Sequence, residues 1–443
     1  MNLTILGGGL SALSLAYFLQ NNDKIDEITI LEKDEVPGGI CRTYKKNGIE
    51  YDVGPHIIFS KNKEILDLMN NLLGENNEKH RRSNRVLYKK RFVQYPFEND
   101  LSQLPQEDID YCVNTFVHNP FEHYTATNML QFFLKTFGEG ITNTYLRPYN
   151  EKIWKFDPAF MDTQMVERIP KPPQDAILRS ARGETIDGYL HQLYFTYPKH
   201  GGTESLIKAF ISKLGPKVKI HTNAKVLKVE KATDGYQVNT SIGAFETHKL
   251  VSTMPLNEFC HLYQDAQKPQ TILDAAHNLR YNSIAICIIN VKKDYAGDNY
   301  AFTVADKNVK FHRVSKLDFM GPGYHIDGTT TYMAEITYRK NDLNDKASDK
   351  ELIHSVIAGL KTIGFIDSPQ DVNFSEIKRF EYAYVIYDLD HRTNVNTLKH
   401  YFKDQGIWLN GRFGSFEYLN MDAIIQQSKD LAETEINNDL ELP

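Results

Sequence analysis

Cysteine is scarce in this chain. Four cysteines, Cys41, Cys112, Cys260 and Cys287, are spread over 443 residues, with no C-x-x-C pair and no Cys/His cluster. That pattern offers no zinc site and fits free thiols in a reducing compartment. Long apolar runs are missing too, and nothing approaches the ~20 apolar residues of a membrane span. The first motif begins at residue 3, which leaves no place for a signal peptide, so a cytoplasmic protein is expected. Charge of one sign is not in excess. The formal net charge of −6 gives no reason to expect a nucleic-acid partner. The one basic run, Lys79-His80-Arg81-Arg82 with Arg85 and then Lys89-Lys90-Arg91, reads as a solvated helix end followed by a hairpin tip. No internal repeat or low-complexity tract is present. The rest is 41% hydrophobic and 24% charged, a soluble globular composition. The chain is long enough for two or three substructures.

The chemistry starts at once. Leu3-Thr4-Ile5-Leu6 is an apolar run, followed by Gly7-Gly8-Gly9-Leu10-Ser11-Ala12 and an amphipathic stretch from Leu13 to Leu19. The pattern predicts a strand, a glycine turn and a helix, with G-x-G-x-x-A at Gly7, Gly9 and Ala12. Such a turn lets backbone approach a pyrophosphate, and the helix N-terminus, with Ser11 in its first turn, offers unpaired N–H groups. A second strand, Glu27 to Leu31, ends at Glu32 and Lys33. A carboxylate at Glu32 is placed to accept hydrogen bonds from ribose hydroxyls.

Val36-Pro37-Gly38-Gly39-Ile40-Cys41-Arg42-Thr43 and Tyr51-Asp52-Val53-Gly54-Pro55-His56 follow. Gly38-Gly39 with Arg42 resembles the second signature of FAD enzymes of the glutathione-reductase and amine-oxidase type. Two glycine-rich segments on one cofactor suit a molecule as long as FAD.

Beyond residue 60 the pattern gives a helix over Lys63 to Leu73 and a hairpin over Val86 to Tyr95. Residues 100 to 180 read as several short helices broken by Pro148, Pro158 and Pro170-Lys171-Pro172-Pro173. Ser180-Ala181-Arg182-Gly183-Glu184-Thr185 reads either as a mobile lid or as a surface loop. Strands are expected over Lys217 to Ile220, Ala224 to Glu230, Tyr236 to Thr240, Ser283 to Val291, Thr329 to Ile336 and Phe380 to Tyr387. The expected fold is α/β. A split Rossmann-like FAD domain takes residues 1–85, 190–260 and 400–443. A helical substrate domain takes 100–185, and a mostly antiparallel sheet takes 86–99 with 261–399.

Further blocks carry a more specific resemblance. Tyr149-Asn150-Glu151-Lys152-Ile153-Trp154-Lys155-Phe156-Asp157-Pro158 leads to Arg168-Ile169-Pro170. Gly411-Arg412-Phe413-Gly414-Ser415-Phe416-Glu417-Tyr418-Leu419-Asn420-Met421-Asp422 stands near the C-terminus. Together with Gly54-Pro55-His56, these resemble the UDP-galactopyranose mutases, flavoenzymes that interconvert pyranose and furanose forms of a nucleotide sugar. The resemblance implies that Arg168 clamps the substrate diphosphate, with Arg313 as a second substrate-side arginine. Tyr418 and Tyr384 hydrogen-bond the diphosphate, Tyr387 being a rival for the second place. Trp154 lines the nucleotide-sugar pocket or is simply core. His56 stands beside the isoalloxazine, in chemistry or in a structural hydrogen bond. Arg412 and Asp422 belong to the flavin side. Asn420 stands where these mutases usually carry Asp, which leaves the substrate as UDP-galactose or a related nucleotide sugar.

The resemblance also implies the reaction. Reduced FAD attacks the anomeric carbon, and the sugar opens and recloses through another hydroxyl. The expected partners are a nucleotide-diphosphate sugar and a reductant such as NAD(P)H, with a homo-oligomer left open. The rival reading is a redox flavoenzyme of the amine-oxidase or protoporphyrinogen-oxidase type. It shares the N-terminal signatures but does not account for Arg168 or the Arg412–Asp422 block.

Overall fold

Asn2–Leu6 is the central strand of a five-stranded sheet, because its apolar side chains are covered on both faces. Its neighbours are Lys249–Ser252 and Glu27–Leu31, flanked in turn by Ile407–Leu409 and Val218–His221. Every pairing is parallel. The strands therefore come from three distant parts of the sequence, as in a split nucleotide-binding sheet. The structure, a computed structural model, describes residues 1–169, 173–184, 186 and 193–437.

The helix after the glycine turn spans Leu10–Leu19 and is not amphipathic: residues 10 to 16 and Leu19 are all buried. It lies between the sheet and the helices Glu204–Ser212 and Met421–Asp430, and only Tyr17 and Phe18 are partly exposed. Each fully buried leucine there contributes about 2 kcal/mol relative to exposure. The two buried serines avoid a desolvation penalty differently. Ser14 Oγ donates to the Leu10 carbonyl at 2.8 Å and meets Ser428 Oγ at 2.9 Å. Ser11 Oγ has no protein partner.

A seven-stranded sheet forms the other half. Its order is Val372–Val385, Tyr281–Val291, Thr330–Tyr338, Arg313–Lys316, Ala301–Val304, Asn84–Tyr88 and Arg91–Gln94. All pairs are antiparallel except Ala301–Val304 with Asn84–Tyr88. The hairpin near residue 90 thus completes a sheet whose other strands lie two hundred residues on. Gly243–Thr247, Gly235–Thr240, Val226–Ala232 and Tyr263–Gln264 form a separate four-stranded sheet. Short helices between Gln106 and Ala181 pack at one side.

Several expectations need correction. The basic run is no helix end: Glu78–Arg81 is a strand paired with Tyr194–Tyr197. The strand expected at Phe380 starts at Val372 and stops at Val385, so Tyr387 lies beyond it. It is an edge strand with polar residues along most of its length, which blurs the alternation that marks a strand. Ser180 belongs to the helix Gln174–Ala181 and is wholly buried, its hydroxyl donating to the Glu98 carbonyl at 2.8 Å. Up to Glu184 that segment is a helix end and turn, while Thr185 falls outside the described residues. No helix among the described residues is long and apolar enough to cross a membrane.

Candidate flavin and substrate site

The first turn sets the geometry of a long cavity. Gly7 has φ +93°, and a Cβ there would sit 2.7 Å from Thr253 Oγ1. A side chain is excluded on both counts. Gly38 N–H donates to the Gly8 carbonyl at 2.9 Å, and a Cβ on Gly39 would lie 3.5 Å from the Cα of Gly9. The two glycine segments read separately in the sequence are therefore one surface. Ala12 turns away from it into the apolar core.

The cavity has a volume of about 980 Å³, at the upper end for ligand sites. Glu32, Lys33, Gly7, Gly9, Ser11, His56, Arg412 and Asn420 all line it. The Glu32 carboxylate accepts the N–H of Gly8 at 2.7 Å and of Asp34 at 2.8 Å. It braces the glycine loop and still has lone pairs for a ribose. Asp422, in the first turn of its helix, accepts from Ser60 Oγ at 2.7 Å.

The donors around this cavity fit a flavin dinucleotide. The helix from Leu10 has no side-chain cap and no acidic residue in its first turn, so its terminal N–H groups and dipole face an anion unopposed. Ser11 Oγ, Arg42 Nε, His56 Nδ1, and Arg412 Nε and Nη2 are buried polar atoms without protein partners. Such atoms are costly unless a ligand satisfies them. Arg42 itself does not line the cavity. It packs against Gly38 and lies 4.0 Å from Asp34 Oδ2. Burial first, then the charges of Arg412 and Arg313, pushes the His56 imidazole down to about 4. It is neutral at pH 7, with one donor and one acceptor to offer.

Beyond Arg412 stands an aromatic cluster. The Arg412 guanidinium lies 4.2 Å from the Tyr418 ring centre and 5.5 Å from that of Tyr384. These two rings stack at 6.0 Å, and Trp154 meets both edge-on at 5.7 and 5.9 Å. Trp154 is fixed by Nε1–H donating to Asn150 Oδ1 at 2.8 Å, and its carbonyl accepts from Asn282 Nδ2 at 2.6 Å. The indole is therefore well packed, in edge contact with the two tyrosines that lie under Arg412.

Arg313 is engaged rather than free. It donates through Nε and Nη2 to the two carboxylate oxygens of Glu335, at 2.5 and 2.6 Å. Burial opposes its charge, but this buried carboxylate holds Arg313 well above its ordinary value. Gly54 packs on the pair, its Cβ position 3.4 Å from Glu335 Oε2. Nothing local in the sequence marks Glu335. Only the antiparallel register that sets it opposite Arg313 does so. His312 was also unforeseen. It is buried with both ring nitrogens unpartnered, its ring centre 6.4 Å from that of Tyr384.

Tyr387 is placed behind this cluster, its hydroxyl bonded to Glu417 and to the backbone of Tyr418. The backbone of Arg168 ends the short helix Thr163–Arg168, while its side chain lies outside the described residues.

Comparison with known proteins agrees with this fold. A crystal structure of reduced UDP-galactopyranose mutase superposes with a TM-score of 0.90 at 23% identity, over 99% of this chain and 96% of that one. A putative protoporphyrinogen oxidase from an Exiguobacterium species gives 0.77 at 18% identity, over 98% of each. In sequence, UDP-galactopyranose mutase of Mycoplasma genitalium is 25% identical over 235 residues, 51% of this chain and 54% of that protein. Coproporphyrinogen III oxidase of Staphylococcus aureus is 33% identical over 67 residues, 15% of this chain and 14% of that one. The chain thus spans about half, and about a seventh, of these two curated relatives. Residues 10–397 match the family described as flavin containing amine oxidoreductase. On this match across most of its length, the chain belongs to the flavin-containing amine oxidoreductase family, and a flavin is its implied cofactor.

Proposed function

We propose that this protein is an FAD-dependent mutase interconverting ring forms of a nucleotide-diphosphate sugar. The observation that carries the reading is the placement of Arg412. Its guanidinium lines the cavity and at the same time lies over the rings of Tyr384 and Tyr418. A redox flavoenzyme has no evident need for a cation and tyrosine hydroxyls at that point, whereas a diphosphate does.

The glycine loop and the helix from Leu10 would hold the pyrophosphate of FAD, Glu32 its ribose, and His56 and Arg412 the isoalloxazine end. Bound in its reduced form, FAD would supply the nucleophile for the anomeric carbon. The protein's part is then orientation and exclusion of water. Arg412 and Arg168 would take the charge of the diphosphate, with Tyr384 and Tyr418 hydroxyls as further donors. Trp154 closes one wall. Arg313, neutralised by Glu335, would contribute directed N–H groups more than net charge. Neutral His56 would hydrogen-bond beside the flavin without adding a cation. Asn420, with no charge, leaves the substrate as UDP-galactose or a related nucleotide sugar.

The family match itself favours a second reading, substrate oxidation by the flavin. One experiment separates the two. Dithionite-reduced holoprotein is incubated with a panel of nucleotide sugars and scored for ring-size isomers. Isomerisation without net consumption of an oxidant supports the mutase. Turnover only with oxidised flavin, with hydrogen peroxide or reduced acceptor formed one for one, overturns it.

A further inference from the structure

Tyr387 is 3% exposed and lies two residues past the end of the long edge strand. Its hydroxyl accepts the N–H of Tyr418 at 2.7 Å and donates to Glu417 Oε2 at 3.0 Å. The other oxygen of Glu417 accepts from Lys399 Nζ at 2.9 Å, which stops the carboxylate from swinging away. The His391 ring lies 4.3 Å from that of Tyr387, and its Nε2 is 2.8 Å from the Phe416 carbonyl. Phe416 is held at φ +52°, a left-handed conformation that costs a bulky residue energy unless its surroundings impose it. Phe416, Glu417 and the Tyr418 N–H are thus all fixed from the segment Tyr387–His391.

The same segment also holds the opposite wall. The Tyr387 carbonyl accepts the N–H of Asp162 at 2.8 Å, and Arg392 Nη2 reaches Asp162 Oδ1 at 2.9 Å. Asp162 is the N-cap of the helix Thr163–Arg168, accepting from Gln164 N–H at 2.8 Å.

We infer that Tyr387 is a positioning residue. Its hydroxyl sets Tyr418 against Arg412, and its backbone ties the turn that ends at Arg168 to the same point. The inference rests on the mutase reading in so far as the ligand is a nucleoside diphosphate. Tyr387 acts through Tyr418, because its own hydroxyl is committed on both sides. Without that oxygen the Tyr418 N–H loses its acceptor and Phe416 is free to relax, so the Tyr418 ring no longer has one defined place.

The test uses holoprotein with UDP as the probe, titrated by calorimetry. Tyr387→Phe keeps the ring and its packing. It should weaken UDP about tenfold while flavin absorbance and Tm stay close to the starting protein. In a Tyr418→Ala background the same change should have less than about a twofold effect, because coupled residues are non-additive. Equal effects in the two backgrounds overturn the inference, as does unchanged affinity in Tyr387→Phe. Loss of flavin together with UDP binding would mark a general structural role and overturn it as well. If the starting holoprotein fails to bind UDP, the mutase reading falls first and this inference with it.

Discussion

The backbone N–H of Gly8 donates to the carboxylate of Glu32 at 2.7 Å, across the turn between two strand ends. One side chain thereby shapes the loop that would hold a pyrophosphate and faces the place of a ribose. Glu32→Ala should remove both effects and weaken FAD about ten- to a hundredfold. Glu32→Gln should recover part of the loss, because its amide oxygen still accepts the Gly8 N–H. Fluorescence titration of apoprotein with FAD checks both. FAD affinity unchanged in Glu32→Ala would place the adenosine elsewhere.

Arg412→Lys keeps the charge but gives up the planar guanidinium that lies over Tyr384 and Tyr418. An ammonium neither stacks nor grips two oxygens in one plane. UDP affinity should fall at least about tenfold, with FAD still bound. Lysine performing as well as arginine would show that only a point charge is needed there.

Arg168→Ala is expected to cost about 2–4 kcal/mol of nucleoside-diphosphate binding if the clamp is desolvated. Arg168→Lys should restore only part of it. Unchanged UDP affinity in Arg168→Ala would put this arginine outside the site.

Glu98 carries a prediction about stability against pH. It is buried and sits beside Ser180, which holds its carbonyl. Burial raises its carboxyl from 4.5 to about 7. A carboxyl raised on folding favours the folded state at acid pH, and that contribution is lost as pH climbs from 4.5 through 7. Glu98→Gln should therefore stabilise the protein by roughly 1–3 kcal/mol at pH 8, with the gain fading below pH 5. Denaturant melts at the two pH values decide it, and an equal shift at both would exclude titration as the cause.

The parts of the site that repeat a local pattern could be read from the sequence. Gly7, Gly9, Gly38 and Gly39 sit in short motifs because the backbone itself makes the contacts, so the spacing carries the chemistry. The helix Lys63–Leu73 shows a clear helical period, and the strands Tyr281–Val291 and Thr330–Tyr338 are buried almost throughout, so they read as runs rich in strand-forming residues. What could not be read depends on register between distant segments. Glu335 meets Arg313 only because two strands pair. Tyr387 and Tyr384 differ by three residues in one aromatic run, yet only Tyr384 joins the cluster with Trp154 and Arg412, because the strand ends at Val385. Lys79–Arg81 looked like a solvated helix end because charge is prominent in the sequence, while its strand partner lies beyond residue 190.

The split nucleotide-binding sheet also has a consequence for folding. Ser14 of the first helix meets Ser428 of the last, and Asn410 Nδ2 donates to that same Ser428 hydroxyl at 2.9 Å. One part of the candidate flavin cavity comes from the Gly7–Ser11 segment and another from Arg412 to Asp422, far downstream in the sequence. A chain that lacks the later segment holds the glycine loop without its cover, and the mostly apolar helix Leu10–Leu19 lacks the helix Met421–Asp430 that covers it. Contacts this far apart in sequence form slowly, and apolar surface waits exposed meanwhile. A cofactor held between these two segments would therefore wait for both to be present. Folding yield should respond to free flavin only once the Arg412–Asp422 segment is present.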